Sequence, residues 1–303
     1  MPTNLTATIR HILNRECPQA RVESVRPLDR GHTSEQWVAA TDEGRLLVKV
    51  PRRNRDPEHL KRLVASTRVA GEHGIPVVRY RRLVPYEAAL DGPVVIQEYQ
   101  EGDAADEVWE SLDEGRRLVL LQDLGDVVGR LHAIEGPWFG DVLGGGRASS
   151  LRESVEAEAA ALLSRADPEL IGDPGRFRSA IAAAVARLED GPNVPALTHG
   201  DLWLPNVLVR DGRISCVLDF EHAGYADRFR DFGKLDEHVF GPLAGRDVFL
   251  RSYAAACPLP DDWERRVELG QVLHALSMHV YFLRWSPQWA PEYAQEAKEW
   301  LGR

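Results

Sequence analysis

Apolar positions recur at two different periods along the chain. Leu5, Ile9, Ile12 and Leu13 share one helical face and predict a short amphipathic helix from Leu5 to Leu13. The runs Val22 to Leu28, Gln36 to Ala40 and Leu46 to Val50 are β-type, and the turn-rich Asp42-Glu43-Gly44 joins the last two, which predicts a small antiparallel sheet. Pro57 to His73 returns to a helical period, and Gly74-Ile75-Pro76 stops it before another strand. Val94-Val95-Ile96 reads as a buried strand, followed by the polar stretch Gln97 to Gly102. From Leu112 onward the pattern is mainly helical: Arg116 to His132, Leu151 to Arg165, Gly175 to Leu188, Asp247 to Ala256 and Trp263 to Leu283, with a single strand pair among them. The expectation is an α+β chain of two lobes: a sheet-based N-terminal lobe over 1–98, a hinge at 99–102 and a helical C-terminal lobe over 103–303.

Composition narrows the function classes. The chain has 303 residues, 44% hydrophobic and 28% charged, the balance of a globular protein with a sizeable core. Its net charge of −10 argues against nucleic-acid binding, which needs a basic face to neutralise phosphates. Cys17, Cys216 and Cys257 are odd in number and widely spaced, so neither a disulfide framework nor a zinc site is expected. The N-terminus lacks the apolar stretch of a signal peptide and no run approaches the roughly 18 apolar residues of a membrane span, so no membrane partner and a cytoplasmic location are expected. Oligomeric state has no signature in the sequence. Lysine occurs only at 49, 61, 234 and 298, so a lysine inside an apolar run stands out. The patch Gly144-Gly145-Gly146 lacks the GxxxxGK[ST] pattern and reads as a flexible loop.

The chemistry concentrates between His199 and Glu221, which reads HGDLWLPNVLVRDGRISCVLDFE. Val207 to Val209 and Ile214 to Leu218 are β-type runs flanking Asp211-Gly212, a strong hairpin signal. A two-residue turn pairs Arg210 with Arg213, and counting up the ladder sets Asn206 opposite Val217. Asn206 and Asp219 then emerge together at the open end, with Asp201 in the loop leading in. A carboxylate and an amide carbonyl suit magnesium, which completes its shell with water and phosphate oxygens. Taken singly, each of these residues could merely cap or turn the chain. Together, His199, Asp201, Asn206 and Asp219 follow the order of the protein-kinase HRDxxxxN loop and its metal-binding Asp.

HGDLWLPNVL followed by a strand and LDFE resembles the aminoglycoside phosphotransferase and choline kinase superfamily. Leu28 to Gly31, Leu47 to Val50, Gly74 to Val77 and Leu131-His132 resemble further landmarks of that family, so the likeness covers most of the chain. It implies a protein-kinase-like bilobal fold and an ATP- (or GTP-) and Mg2+-dependent transfer of phosphate to a hydroxyl. By the same resemblance Asp201 orients the acceptor hydroxyl and takes its proton, and Asn206 and Asp219 hold magnesium. Lys49 contacts the α- and β-phosphates, Gly31 lies in the phosphate-covering loop, and Gln97, Glu98, Tyr99 and Gln100 line the adenine edge. His199 is assigned structural support.

The sequence departs from the family where a Glu is expected to pair with the lysine, because that position is Leu63; Glu58 is the substitute considered. The acceptor expected is a small hydroxyl-bearing molecule, an aminoglycoside or other antibiotic, with a capuramycin-like nucleoside, a sugar or an amino alcohol as alternatives. Glu221, Asp227 and Asp231, with Asp236 and Glu237, are candidate contacts for a cationic substrate. Tyr281, Trp285 and Trp289 read first as packing residues, with Trp285 carried as a candidate stacking contact. A protein kinase is disfavoured by the lack of an APE-like segment after Asp219. The reading of another class is a catalytically weak nucleotide-binding regulator, which the intact set Lys49, Asp201, Asn206 and Asp219 opposes.

Overall fold

The computed structural model describes residues 5–29, 34–188, 193–243 and 245–302. Helix α1 (Leu5–Glu16) leads into strands β1 (Val22–Leu28), β2 (Ser34–Thr41) and β3 (Gly44–Pro51). Helix α2 (Pro57–Glu72) follows, then β4 (Tyr80–Glu87) and β5 (Gly92–Glu98). The five strands form one antiparallel sheet in the order β1-β2-β3-β5-β4. Alternation along the strands divides the side chains between two faces. Trp37, Ala39, Leu46, Val48, Val50, Val94 and Ile96 share a core with Ile9, Ile12 and Leu13 of α1. On the opposite face Lys49 stands across from Val95, which belongs to the apolar cluster that also takes in Leu60 and Leu63 of α2.

Strand β6 (Asp103–Ala104) and helices α3 (Ala105–Trp109) and α4 (Glu114–His132) open the second part of the chain. Helices α5 (Leu151–Leu163), α6 (Pro168–Ile171) and α7 (Pro174–Ala186) follow, then β7 (Ala196–Thr198), β8 (Val207–Arg210), β9 (Arg213–Val217) and β10 (Gly224–Ala226). The chain ends with α8 (Phe232–Leu235), α9 (Gly241–Leu243), α10 (Arg246–Ala256), α11 (Trp263–Trp285) and α12 (Ala290–Leu301). Three helices start on an Asp-Pro pair. Asp56, Asp167 and Asp173 cap α2, α6 and α7 by accepting a backbone N–H, and the following proline, which has no N–H to lose, occupies the first turn.

The helical core centres on α4 and α10, whose Leu120, Leu121, Leu124, Phe249 and Tyr253 share one cluster with Phe229 and Phe232. Gly125 and Gly129 let the two backbones touch: a Cβ at those positions would stand 2.4 Å from the Phe249 carbonyl oxygen and 2.7 Å from that of Tyr253. Two small β-structures interrupt the helices where one hairpin was expected. β6 joins the hairpin in a three-stranded sheet β6-β8-β9, and β7 pairs antiparallel with β10. Helix α12 has no counterpart among the expected elements. Among the described residues no helix is long and apolar enough to cross a membrane. Cys17, Cys216 and Cys257 are all buried and free.

Candidate active site

The hairpin β8–β9 turns at Asp211-Gly212, both at positive φ (54° and 75°), and pairs Arg210 with Arg213 as expected. The ladder then departs from the simple count. A bulge between Leu208 and Val209 skips Ser215, so Val207 faces Val217 and the Leu218 N–H donates to the Asn206 carbonyl at 2.8 Å. The extra residue brings Asn206 opposite Leu218 rather than Val217, next to Asp219. Asp219 itself is held at φ 64°, ψ 57°, a left-handed conformation that costs a non-glycine residue energy and re-aims its side chain.

Asp201 lies in the loop between β7 and β8, and both its carboxylate oxygens are engaged. Asn206 Nδ2 donates to Oδ2 at 3.1 Å and to the Asp201 carbonyl at 2.9 Å, while the Lys234 ammonium pairs with Oδ1. Asn206 thus spends its amide nitrogen on Asp201, and its Oδ1 accepts nothing from the described residues. His199 is fully buried and acts as a brace: its Nδ1 accepts the Asp201 N–H at 3.2 Å, which leaves Nε2 to donate to the Leu218 carbonyl at 2.7 Å. Gly200 sits at φ +77°, where a Cβ would meet the His222 carbonyl oxygen at 2.3 Å. Only glycine fits there.

Asp231, a candidate substrate contact, is instead 2% exposed and faces inward. Its two oxygens accept the backbone N–H groups of His199 (2.8 Å) and Gly200 (2.7 Å), and His132 Nε2 stands 3.0 Å from Oδ2. His132 Nδ1 in turn lies 3.1 Å from the Tyr253 hydroxyl on α10. Burial alone would raise the Asp231 pKa. The hydrogen bond at His132, the neighbouring imidazoles and the His199 N–H outweigh it and hold the carboxyl below its ordinary value.

The other acidic candidates are also committed within the protein. Asp227 caps the turn Arg228–Asp231 and pairs with Arg266 Nη1 at 2.6 Å. Asp236 accepts from Gln271 at 2.8 Å. Burial would raise the Glu237 pKa, but hydrogen bonds from His274 (2.8 Å) and Tyr293 (2.7 Å) pull the carboxyl down to about 2. Glu221 receives His59 Nε2 from α2 at 3.2 Å, and this bond lowers its pKa against the opposing effect of burial.

Lys49 is half-buried and has no direct carboxylate partner among the described residues. Glu58 does not supply one. Its side chain is exposed at the start of α2 and binds Lys61 at 2.7 Å, one turn away on the same helix. Leu63, at the position where the family's glutamate was expected, is buried in the apolar cluster. The carboxylates whose titration Lys49 shifts are Asp219 and Glu221: burial raises the Asp219 pKa and the Lys49 charge opposes it.

In the hinge segment the Glu98 and Tyr99 N–H groups bond to the carbonyls of Arg79 and Arg45, both at 2.9 Å, leaving the Gln100 N–H without an acceptor among the described residues. Gln97 is 2% exposed, and its Oε1 is buried without a partner. Gly31 lies outside the described residues. Tyr281, Trp285 and Trp289, read first as packing residues, are exposed by 43%, 43% and 52%, and Arg53 of the first lobe lies 5.1 Å over the Trp285 ring.

Magnesium would find donors of the right kind here: the unspent Asn206 Oδ1 and the Asp219 carboxylate, hard oxygens that leave the rest of the shell to water and phosphate. Among the described residues no group of three or more His, Cys, Asp or Glu could hold a metal by itself. Two protein oxygens sharing a metal with a phosphate substrate is a different design.

Comparison with known proteins agrees on the fold. Over 96% of this chain and 99% of the other, the structure superposes on a Thermobifida fusca protein named for fructosamine-3-kinase, with a TM-score of 0.72 at 20% identity. The aminoglycoside phosphotransferase APH(4)-Ia gives 0.70 at 17% identity over 99% of both chains. The streptomycin–ATP–APH(2″)-IIa ternary complex gives 0.65 at 20% identity, over 99% of this chain and 97% of that one. These likenesses establish a kinase-like bilobal fold. The sequence profile of the Phosphotransferase enzyme family (APH) matches residues 24–269, a span that takes in Lys49, His199, Asp201, Asn206, Asp219 and Asp231, and the chain belongs to that family.

Proposed function

We propose that the protein is an ATP- and Mg2+-dependent O-phosphotransferase that acts on a hydroxyl of a small molecule. The observation that carries this reading is the meeting, at one end of the hairpin, of Asp201, Asn206 and Asp219, with the Lys49 charge acting on Asp219. Asp201 accepts the hydroxyl proton and aims the oxygen. A carboxylate suffices, because phosphoryl transfer has a loose transition state and its catalysis rests on positioning and charge. Asn206 Oδ1 and Asp219 hold magnesium, which when bound offsets the charge of the phosphate oxygens. Lys49 faces the α- and β-phosphates, and the Gln100 N–H is the uncommitted donor for the base.

The same reading puts a hinge at 99–102, after β5, and, because the donor is a nucleotide, expects the reaction in the cytoplasm. For the acceptor we propose an antibiotic or comparable hydroxyl-rich natural product, supported by structural neighbours named for aminoglycoside and macrolide phosphotransferases. A regulator without turnover is disfavoured because no member of the catalytic set is missing.

The test is to incubate the protein with ATP, magnesium and a panel of antibiotics, sugars and amino alcohols, and to look by mass spectrometry for a product heavier by one phosphoryl group. Asp201→Ala should abolish it. Undiminished turnover in that variant would refute the assigned base.

A further inference from the structure

Asp201 has a partner that the reaction outlined above does not use. Lys234, from α8, pairs with Asp201 Oδ1, and its Nζ lies 4.4 Å above the centre of the Trp203 ring. Its side chain is only 12% exposed. Lysine is scarce here, four in 303 residues, and the loop His199 to Asn206 carries neither lysine nor arginine. Withdrawing an ammonium from water is costly unless a compensating interaction exists. Positioning Asp201 does not supply a sufficient reason, because Asn206 already holds Oδ2 and the loop backbone is fixed by His199 and Asp231.

We propose, resting on the kinase reading above, that Lys234 is a catalytic residue whose ammonium contacts the phosphoryl group in transfer. An acceptor hydroxyl within hydrogen-bond reach of Asp201, about 2.6–3.2 Å, places its oxygen about 3–3.5 Å from phosphorus at the point of attack. A nitrogen bonded to Asp201 Oδ1 therefore stands beside the equatorial phosphoryl oxygens. An ammonium has three donors: one serves Asp201 and the ring face of Trp203 takes no conventional bond, so a donor remains for phosphate. In the step, the hydroxyl oxygen bonds the γ-phosphorus as the bond to the β–γ bridging oxygen breaks. The electron pair leaves on ADP and the hydroxyl proton passes to Asp201. Lys234 gives up no proton. It supplies positive charge beside Asp201, in addition to that of Lys49 and the metal.

The test needs no identified acceptor. Affinity for Mg-ADP alone, for Mg with a non-hydrolysable ATP analogue, and for Mg-ADP with aluminium fluoride, a mimic of the transferring phosphoryl group, is measured by calorimetry for wild type, Lys234→Met and Lys234→Arg. Loss of one donor aimed at transition-state charge costs about 100-fold or more. We expect Lys234→Met to weaken the aluminium fluoride complex by about that factor with Mg-ADP affinity within twofold, and Lys234→Arg to recover most of it. A Lys234→Met protein that binds the mimic as tightly as wild type, or loses all three ligands equally, overturns the proposal. If Lys234→Met does not fold, Lys234→Arg decides, since an arginine that loses the mimic and Mg-ADP in the same proportion also overturns it. A wild type that binds none of the three refutes the kinase reading itself.

Discussion

Replacing Asp231 with Asn should damage stability and turnover together. The carboxylate is 2% exposed and takes two backbone N–H groups and His132 on two oxygens. An amide keeps one acceptor oxygen and turns an NH2 group toward N–H donors, so at least one buried donor loses its partner. Hydrogen bonds to a charged group contribute about 1.5–3 kcal/mol each, which sets an expected loss of about 3 kcal/mol. At about 2.1 cal/mol/K of unfolding entropy per residue, over 303 residues, this lowers the melting temperature by about 5 °C. Because folding depresses the Asp231 pKa, its contribution is complete above the ordinary carboxyl range and is lost as pH falls through the native value. The gap between wild type and Asp231→Asn should therefore be full at pH 7 and shrink below about pH 4. Turnover should fall about 100-fold, the usual consequence of moving a catalytic group by about 1 Å. Calorimetry across pH, with kinetics on the acceptor found by mass spectrometry, measures both. A variant with wild-type melting temperature and rate would show that the loop is held by something else.

Gly200→Ala should cost more than about 2 kcal/mol, since it adds the left-handed penalty of a Cβ to an overlap with the His222 carbonyl; a soluble variant with unchanged melting temperature would contradict this. Gln97→Met should do the opposite, raising stability by about 1 kcal/mol in thermal melts by removing a buried acceptor that has no partner. The same variant should bind ATP more weakly, as expected if Oε1 accepts from the amino group of the base; a destabilised variant with unchanged ATP affinity would refute both halves.

Features carried by local rules were legible in advance. The Asp-Gly hairpin, the helical period and the strand alternation each depend on neighbours within a few residues, so β1, β2, β3, β5, α2, α4, α7, α10 and α11 fall close to their expected spans. The bulge at Ser215 escaped because an extra residue in a ladder leaves no mark on the hydrophobic pattern of either strand. The β7–β10 pair joins segments 26 residues apart at Thr198 and Gly224, and runs that short are invisible to periodicity. Asp231 read as a substrate contact because the groups that bind it, His132 on α4 and the N–H groups of His199 and Gly200, lie 99, 32 and 31 residues away in sequence. Glu58 looked available to Lys49 until the turn of α2 directed it to Lys61. Lys234 did have a signal, being one of four lysines, yet its neighbours Gly233 and Leu235 gave no cue that its ammonium reaches Asp201.

The backbone contact of Gly125 and Gly129 with α10 gives the helix pair α4–α10 a reach beyond its own core. Asp201 is located by His199, His199 by Asp231, Asp231 by His132 at the end of α4, and His132 by the Tyr253 hydroxyl on α10. At Gly125 and Gly129 no side chain lies between the two backbones to absorb a displacement, so an error in α10 is transmitted there rather than cushioned. Helix α10 stands behind the loop that carries Asp201, yet it holds the far end of the bonds that fix that loop. Substitution of Tyr253 is therefore expected to lower turnover as well as stability, because its hydroxyl ends this chain of bonds while its ring is buried in the core.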